Sequence, residues 1–270
     1  MVLLMGRVDG VPRRVVSLNP SVNEFLALLG VEIVGRDAFS YRPRELMKVP
    51  IVGTFTDFDG ERARALAPDL FILYYPVQRH LLEKAAEVSR AVVAVPTPVN
   101  IDAVVAVFRF FARLFDRDEE GDRLAGVYRD LLRGAPLYDG VLAIINLGVY
   151  DVACGNSYVA DALTRVGLRY LGGLPCVFMH YEEPPLGLVE RSSFVIYEAR
   201  GRSYSEREVE FLRGREYVVT PNDTLAHYGP SLPLDLGLLA AAVARGERWV
   251  GGASSVSRPS LRDAWYGPYR

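Results

Sequence analysis

The stretch Ile101 to Arg133 limits this chain more than any other, because it reads as helix for about thirty residues between two α/β stretches of similar pattern. Its first part, Ile101 to Phe115, is apolar on nearly every face apart from Asp102, Arg109 and Arg113, which predicts burial on more than one side. After Asp116-Arg117-Asp118 the acids Glu119, Glu120 and Asp122 stand where a helix N-terminus favours negative charge. Leu124, Val127, Tyr128 and Leu131 then recur at helical spacing until Gly134-Ala135-Pro136 ends the pattern. A helix of this length in this place predicts a spine joining two lobes.

The flanks support that reading. At a constant offset of 137 residues Asn19 meets Asn156, Val22 meets Val159, Glu24 meets Asp161 and Leu26 meets Leu163, with no gap. The match runs on through Gly30 with Gly167, Val34 with Leu171 and Gly35 with Gly172. A generic helix, glycine and strand would match at this level; two similar lobes is the alternative. Between them the chain reads as short buried strands alternating with helices. Strands are expected at Arg14 to Leu18, Val31 to Val34, Ile51-Val52, Leu70 to Tyr74, Ala91 to Val95, Val141 to Leu147, Val152 to Cys154, Phe194 to Tyr197 and Tyr217 to Thr220. The run Leu70-Phe71-Ile72-Leu73-Tyr74 is apolar throughout, as a parallel strand covered on both faces should be. Helices are expected near 22 to 29, 61 to 66, 79 to 89, 159 to 166, 206 to 213 and 234 to 244, and Gly172 to Pro185 reads as one long irregular loop.

Charge narrows the function. With 31 basic and 33 acidic residues, a net charge of -2 and no run of like charge, nothing favours nucleic acid or an anionic membrane. Only Lys48 and Lys84 are lysine and Gln78 is the sole glutamine. Cys154 and Cys176 are too few for a disulfide scaffold and could be buried thiols or one bridge. No export signal is visible in Met1 to Gly10, and no stretch reaches the ~18 apolar residues of a membrane span. Trp249, Trp265, Tyr266 and Tyr269 stand in a glycine- and proline-containing tail, 246 to 270.

At Arg14-Val15-Val16-Ser17-Leu18-Asn19-Pro20-Ser21 the chain resembles the opening strand and loop of the substrate-binding proteins of ABC importers for vitamin B12, iron-siderophores and haem. Val52-Gly53-Thr54-Phe55-Thr56-Asp57, Glu61 and Leu66-Ala67-Pro68-Asp69-Leu70-Phe71-Ile72 resemble that family's run of glycine, aromatic loop, glutamate and strand. Gly155-Asn156-Ser157 with Val166-Gly167, and Tyr228-Gly229-Pro230-Ser231, are similar to its later landmarks. The resemblance implies an α/β fold of two Rossmann-like lobes with parallel sheets, bridged by a single long α-helix. The expected boundaries are 13–115 for the N-terminal lobe, 116–136 for the bridge and 137–270 for the C-terminal lobe with its extra tail. It also implies a cobalamin, ferric siderophore or haem held in an interlobe cleft by a monomer that docks on a membrane permease with its ATPase subunits. No intrinsic cofactor and no catalytic residue go with it. The family works outside the cytoplasm, whereas this chain shows no signal peptide; a cytoplasmic two-lobed enzyme or cofactor handler of chelatase type is the competing reading.

Parallel sheets place ligands beyond the carboxyl ends of their strands, which selects the same loops independently. These are 19 to 21, 37 to 42, 54 to 58 and 74 to 80 in one lobe, and 148 to 158, 176 to 183, 198 to 204 and 222 to 230 in the other. Phe55 matches the family's cleft aromatic, and Tyr41, Tyr74, Tyr75, Tyr150, Tyr158, Met179, His180, Tyr181, His227 and Tyr228 are the further candidate cleft residues. His, Met and Tyr can ligate haem iron. The three histidines lack the spacing of a protein metal site. Asn19 and Asn156 are expected to cap the helices that follow them. The resemblance makes Glu61, with Glu182 or Glu183, the pair that meets permease arginines; each could equally be an ordinary helix-start acid. Phosphate-loop, GxSxG and GxGxxG motifs are absent.

Overall fold

The computed structural model describes residues 2–250. Two compact units make it up: the chain up to Thr97 with Val105–Gly126, and Pro98–Val104 with the chain from Val127 onward.

The first unit is built on a six-stranded sheet. Its strands are β1 (Leu3–Gly6), β2 (Val15–Ser17), β3 (Ile33–Asp37), β4 (Ile51–Gly53), β5 (Leu70–Tyr75) and β6 (Ala91–Pro96), in the order β1-β6-β5-β2-β3-β4. All are parallel except β1, an edge strand antiparallel to β6 that the apolar run Leu3-Leu4-Met5 forms. The all-apolar β5 and β6 are buried along nearly their whole length, as strands covered on both faces must be. Helices α1 (Pro20–Leu28), α2 (Gly60–Ala65) and α3 (Leu82–Ala86) link them. Asn19 caps α1 by accepting from Val22 N–H at 3.2 Å, and Asp59 caps α2 by accepting from Arg62 N–H at 3.0 Å.

The expected spine is two helices. α4 (Ile101–Leu114) ends in a turn where Asp116 takes a left-handed φ of 52°, and α5 (Asp118–Leu131) starts anew at the acidic cluster. Within the first unit α5 lies back against α4. Arg109 meets Asp122 at 2.6 Å and Arg113 meets Asp118 at 3.3 Å, while a Cβ on Gly121 would collide with that of Ala112. The acids at Asp118 to Glu120 are thus the first turn of a separate helix, complementing its dipole. Each helix contributes residues to both units, so the chain passes between them at 97–98, 104–105 and 126–127.

The second unit has β7 (Tyr138–Asn146), β8 (Tyr150–Ala153), β9 (Leu168–Tyr170), β10 (Phe178–Tyr181), β11 (Phe194–Glu198) and β12 (Tyr217–Thr220), in the order β10-β8-β7-β11-β12 with β9 beside the first half of β7. β7, β9, β11 and β12 are parallel; β8 turns back on β7, and β10 pairs antiparallel to β8. The helices are α6 (Tyr158–Arg165), α7 (Leu186–Arg191) and α8 (Leu232–Ala244); the expected helix at 206 to 213 is a 3₁₀ segment, Glu206–Leu212. The irregular loop expected at Gly172 to Pro185 contains β10 and is stapled at its start, because Cys154 and Cys176 form a disulfide. Trp249 packs against Tyr204 with tilted rings 5.1 Å apart and Val250 N–H donates to Val219 O, so the start of the tail lies along the β12 edge. Trp265, Tyr266 and Tyr269 lie outside the described residues.

The internal repeat survives in part. α1, Gly30 and β3 correspond to α6, Gly167 and β9, and both glycines carry a positive φ that ends the helix. At Gly167 the requirement is also steric, since a Cβ would collide with the Ala135 carbonyl. The entry to the helix differs: Asn19 follows a central parallel strand, Asn156 an antiparallel hairpin strand. The α6 cap is Ser157, accepting from Ala160 N–H at 3.1 Å, and not Asn156.

Candidate functional site

In the first unit the carboxyl ends of β2 to β5 bring four loops to one sheet edge. The aromatic loop after β4 carries Phe55, half-buried, with its ring 5.7 Å from that of Tyr74 at the end of β5. Three side chains hold this loop. Gln78, fully buried, accepts from Tyr74 N–H at 2.7 Å and donates to Phe55 O at 3.2 Å and Leu18 O at 3.4 Å, tying the ends of β2 and β5 to the loop. His80 Nε2 lies 2.8 Å from Thr56 O. Lys84 Nζ reaches Asp57 at 2.6 Å, donates to Phe58 O and stands 4.6 Å over the Phe58 ring. The hydrogen bond from Lys84 holds the Asp57 carboxyl below its ordinary range. A compact ammonium on a flexible stem fits this three-way contact where a planar guanidinium would not.

The loop after β3 is set by a second buried group. Asn23 Nδ2 donates to Ser17 O at 3.1 Å and Ser40 Oγ at 2.8 Å, and Asp37 accepts from Phe39 N–H at 2.6 Å. Tyr41 follows, half-buried, with Arg42 over its ring at 5.6 Å. Tyr75 is exposed at the edge, while desolvation pushes the Tyr74 hydroxyl up to about 12, keeping it neutral. Glu61 is exposed in the first turn of α2, beside its cap and not in place of it.

In the second unit the corresponding organiser is Glu198, at the end of β11. Its buried carboxyl group accepts from the N–H groups of Asp223 (3.0 Å), Leu225 and Ala226 (3.3 Å), which fixes the loop that carries His227 and Tyr228. Burial, the largest influence, pushes this acid up to about 8 against the pull of those N–H groups. His227 Nε2 stands 3.4 Å from Asp223, with the side chain mostly covered.

Two expected lining residues belong to the interior instead. Tyr158 is 1 % and Tyr228 2 % exposed. Their rings meet edge to face at 5.6 Å, and the Tyr158 hydroxyl donates to Leu225 O at 2.7 Å. Tyr128 donates to Tyr228 O at 3.0 Å, so Tyr158 and Tyr128 support the loop from beneath with apolar bodies and satisfied hydroxyls.

β8 and β10 carry four other candidates, Tyr150, Met179, His180 and Tyr181: Tyr150 opposes Tyr181, Asp151 opposes His180 and Val152 opposes Met179. The largely buried Asp151 carboxylate binds His180 Nδ1 and leaves the imidazole projecting outward, 73 % exposed. Tyr181 donates to Met179 Sδ at 3.8 Å. Glu182 and Glu183 are exposed between β10 and α7, and neither caps α7, whose cap position is Pro185. Among the described residues no group of three or more His, Cys, Asp or Glu side chains is placed to hold a metal ion.

No protein-family model matches the sequence, and no curated protein does. Solved structures do. The chain is similar to the periplasmic heme-binding protein RhuT from Roseiflexus sp. RS-1, with a TM-score of 0.68 and 22 % identity over 88 % of this chain and 99 % of that one. It is similar to the siderophore-binding protein FhuD from Vibrio cholerae bound to Fe3+-Desferal (TM-score 0.69, 20 % identity, 87 % and 99 % covered). The periplasmic vitamin B12-binding protein BtuF of the same organism is a third (TM-score 0.65, 10 % identity, 88 % and 99 % covered). At these identities the likeness establishes the fold: two α/β units of the kind found in periplasmic haem-, siderophore- and B12-binding proteins.

Proposed function

We propose that this protein is the solute-binding component of an ABC importer and holds a bulky metal chelate: cobalamin, a ferric siderophore or haem. The observation that carries the reading is the fold shared over nearly the full length of proteins named for those three cargoes. Each unit adds support at its ligand edge. Gln78, His80 and Lys84 pin an aromatic loop in one, and Glu198 pins a loop in the other, which is the pre-organisation that a rigid, bulky cargo rewards. Under this reading the lining side chains are Phe55, Tyr41, Tyr74 and Tyr75 in the first unit, and Tyr150, Met179, His180, Tyr181 and His227 in the second.

The Cys154–Cys176 disulfide favours an oxidising, extracytoplasmic setting over the chelatase-type alternative. No helix among the described residues is long and apolar enough to cross a membrane. The partners under this reading are a permease and its ATPase subunits, met by a monomer through exposed Glu61 and either Glu182 or Glu183. Reconstitution tests it: proteoliposomes containing the cognate permease and ATPase should take up a chelate on ATP addition only when this protein is present. Uptake that proceeds equally without it would reject the role.

A further inference from the structure

The turn between β7 and β8 is built yet leaves apolar side chains in water. Leu147 is 57 % and Val149 38 % exposed at the carboxyl end of the sheet's central strand. The turn is nonetheless held firmly. Asn146 Oδ1 accepts from Gly148 N–H at 2.9 Å, while its Nδ2 donates to the Tyr197 hydroxyl at 2.7 Å and to Glu208 at 3.3 Å; Leu147 N–H donates to Val149 O at 3.0 Å. Gly148 takes φ +101°, which a side chain would strain, and Arg200 lies over it: a Cβ there would be 3.7 Å from the guanidinium carbon. Arg200 follows β11, the parallel neighbour of β7, so the two loops meet at one edge by register. It is exposed, and among the described residues it has no hydrogen bond or ion pair, the nearby Glu208 carboxylate being engaged by Asn146 and Tyr197. A pinned pair of exposed apolar side chains beside an unengaged guanidinium is a surface waiting for a ligand with both characters.

We infer that Leu147, Val149 and Arg200 form a subsite for an amphipathic anion, a chelate whose apolar body lies on the turn while a carboxylate arm meets the guanidinium. This rests on the importer reading and narrows its cargo to carboxylate-bearing chelates. Gly148 supplies the positive φ that the turn needs, and the guanidinium lies within van der Waals reach of it.

The test is titration of the whole protein with haem, whose propionates are carboxylates, against haem dimethyl ester, with a carboxylate and a neutral hydroxamate ferric siderophore as a second pair. The parent should bind the acid of the effective pair about tenfold or more tightly than its neutral counterpart, in line with a charge-assisted contact. Arg200→Met should lose that preference while keeping affinity for the neutral form, and Arg200→Lys should retain part of it. Unchanged melting of both variants separates a lost contact from a lost fold. Equal affinity of the parent for acid and neutral forms, or an undiminished preference in Arg200→Met, overturns the inference and leaves the importer reading standing. Binding of none of the four chelates overturns the inference, and failure of cobalamin to bind as well removes the reading on which it rests.

Discussion

Glu198 makes the loop after β12 sensitive to pH. Its carboxyl is raised from 4.5 to about 8, chiefly by burial, with Asp223 adding to the rise and the N–H groups of Leu225, Asp223 and Ala226 opposing it. An acid whose folded form holds its proton more tightly than the unfolded chain contributes stability that is complete below pH 4.5 and is lost as pH rises through 8. At about 1.4 kcal/mol for each tenfold change in proton affinity, the loss across that window is about 5 kcal/mol. Glu198→Gln removes the titration but turns an amide NH2 toward a backbone N–H of the 223–226 loop, which costs ~1–3 kcal/mol. The variant is therefore expected to be less stable than the parent at pH 5 and more stable at pH 9, with the two curves crossing between. Urea midpoints and slopes measured at intervals across that range would show it. Parallel curves, with the parent losing no more stability than the variant as pH rises, would refute the assignment of Glu198 as the buried titrating organiser of the loop.

Phe55→Ala is expected to weaken chelate binding by about 1–3 kcal/mol through lost apolar contact, read by calorimetry; unchanged affinity would remove Phe55 from the lining. Gln78→Leu leaves the Tyr74 N–H and the Leu18 and Phe55 carbonyls short of a partner and should lower stability in denaturant by about 1–3 kcal/mol, while a loss under half a kilocalorie would mean the loop stands without it. Glu61→Arg should leave chelate affinity unchanged while reducing association with the cognate permease, most clearly at low salt, since exposed pairs of ~0.2–1 kcal/mol are screened as salt rises. Equal permease binding by parent and variant at low salt would end the docking role.

Much of the architecture could be read directly because it follows from burial. β5 and β6 are apolar throughout since both faces are covered, and the match through Gly30 and Gly167 reflects a shared demand for positive φ after a helix. The break between α4 and α5 was masked because no glycine or proline marks it; Asp116 takes the left-handed turn, and the acids after it read as well for a continuing polar face as for a new start. β10 was hidden in a segment whose glycines and prolines signal loop, yet its pairing to β8 and the disulfide are tertiary facts.

The candidate site was legible in its aromatics and not in its supports. Phe55 and Tyr74 do meet, but Tyr158 and Tyr228 turn out to be core, because a tyrosine at a helix start or loop offers the same pattern whether its hydroxyl meets water or a carbonyl. The organisers had one signal, rarity: the sole glutamine and one of two lysines, in a chain otherwise basic through arginine, both hold the Phe55 loop. Glu198 had none, since a glutamate closing a strand is unremarkable until its burial is seen.

The measurement that bears most directly on the account is the absorption spectrum of the purified protein after incubation with cobalamin, haem or ferric siderophore and separation from free ligand. All three cargoes are coloured, so binding is visible without a label. One class should co-elute with the protein, with a titrated dissociation constant of micromolar or tighter, about 8 kcal/mol of binding free energy. A protein that emerges colourless from all three incubations contradicts it.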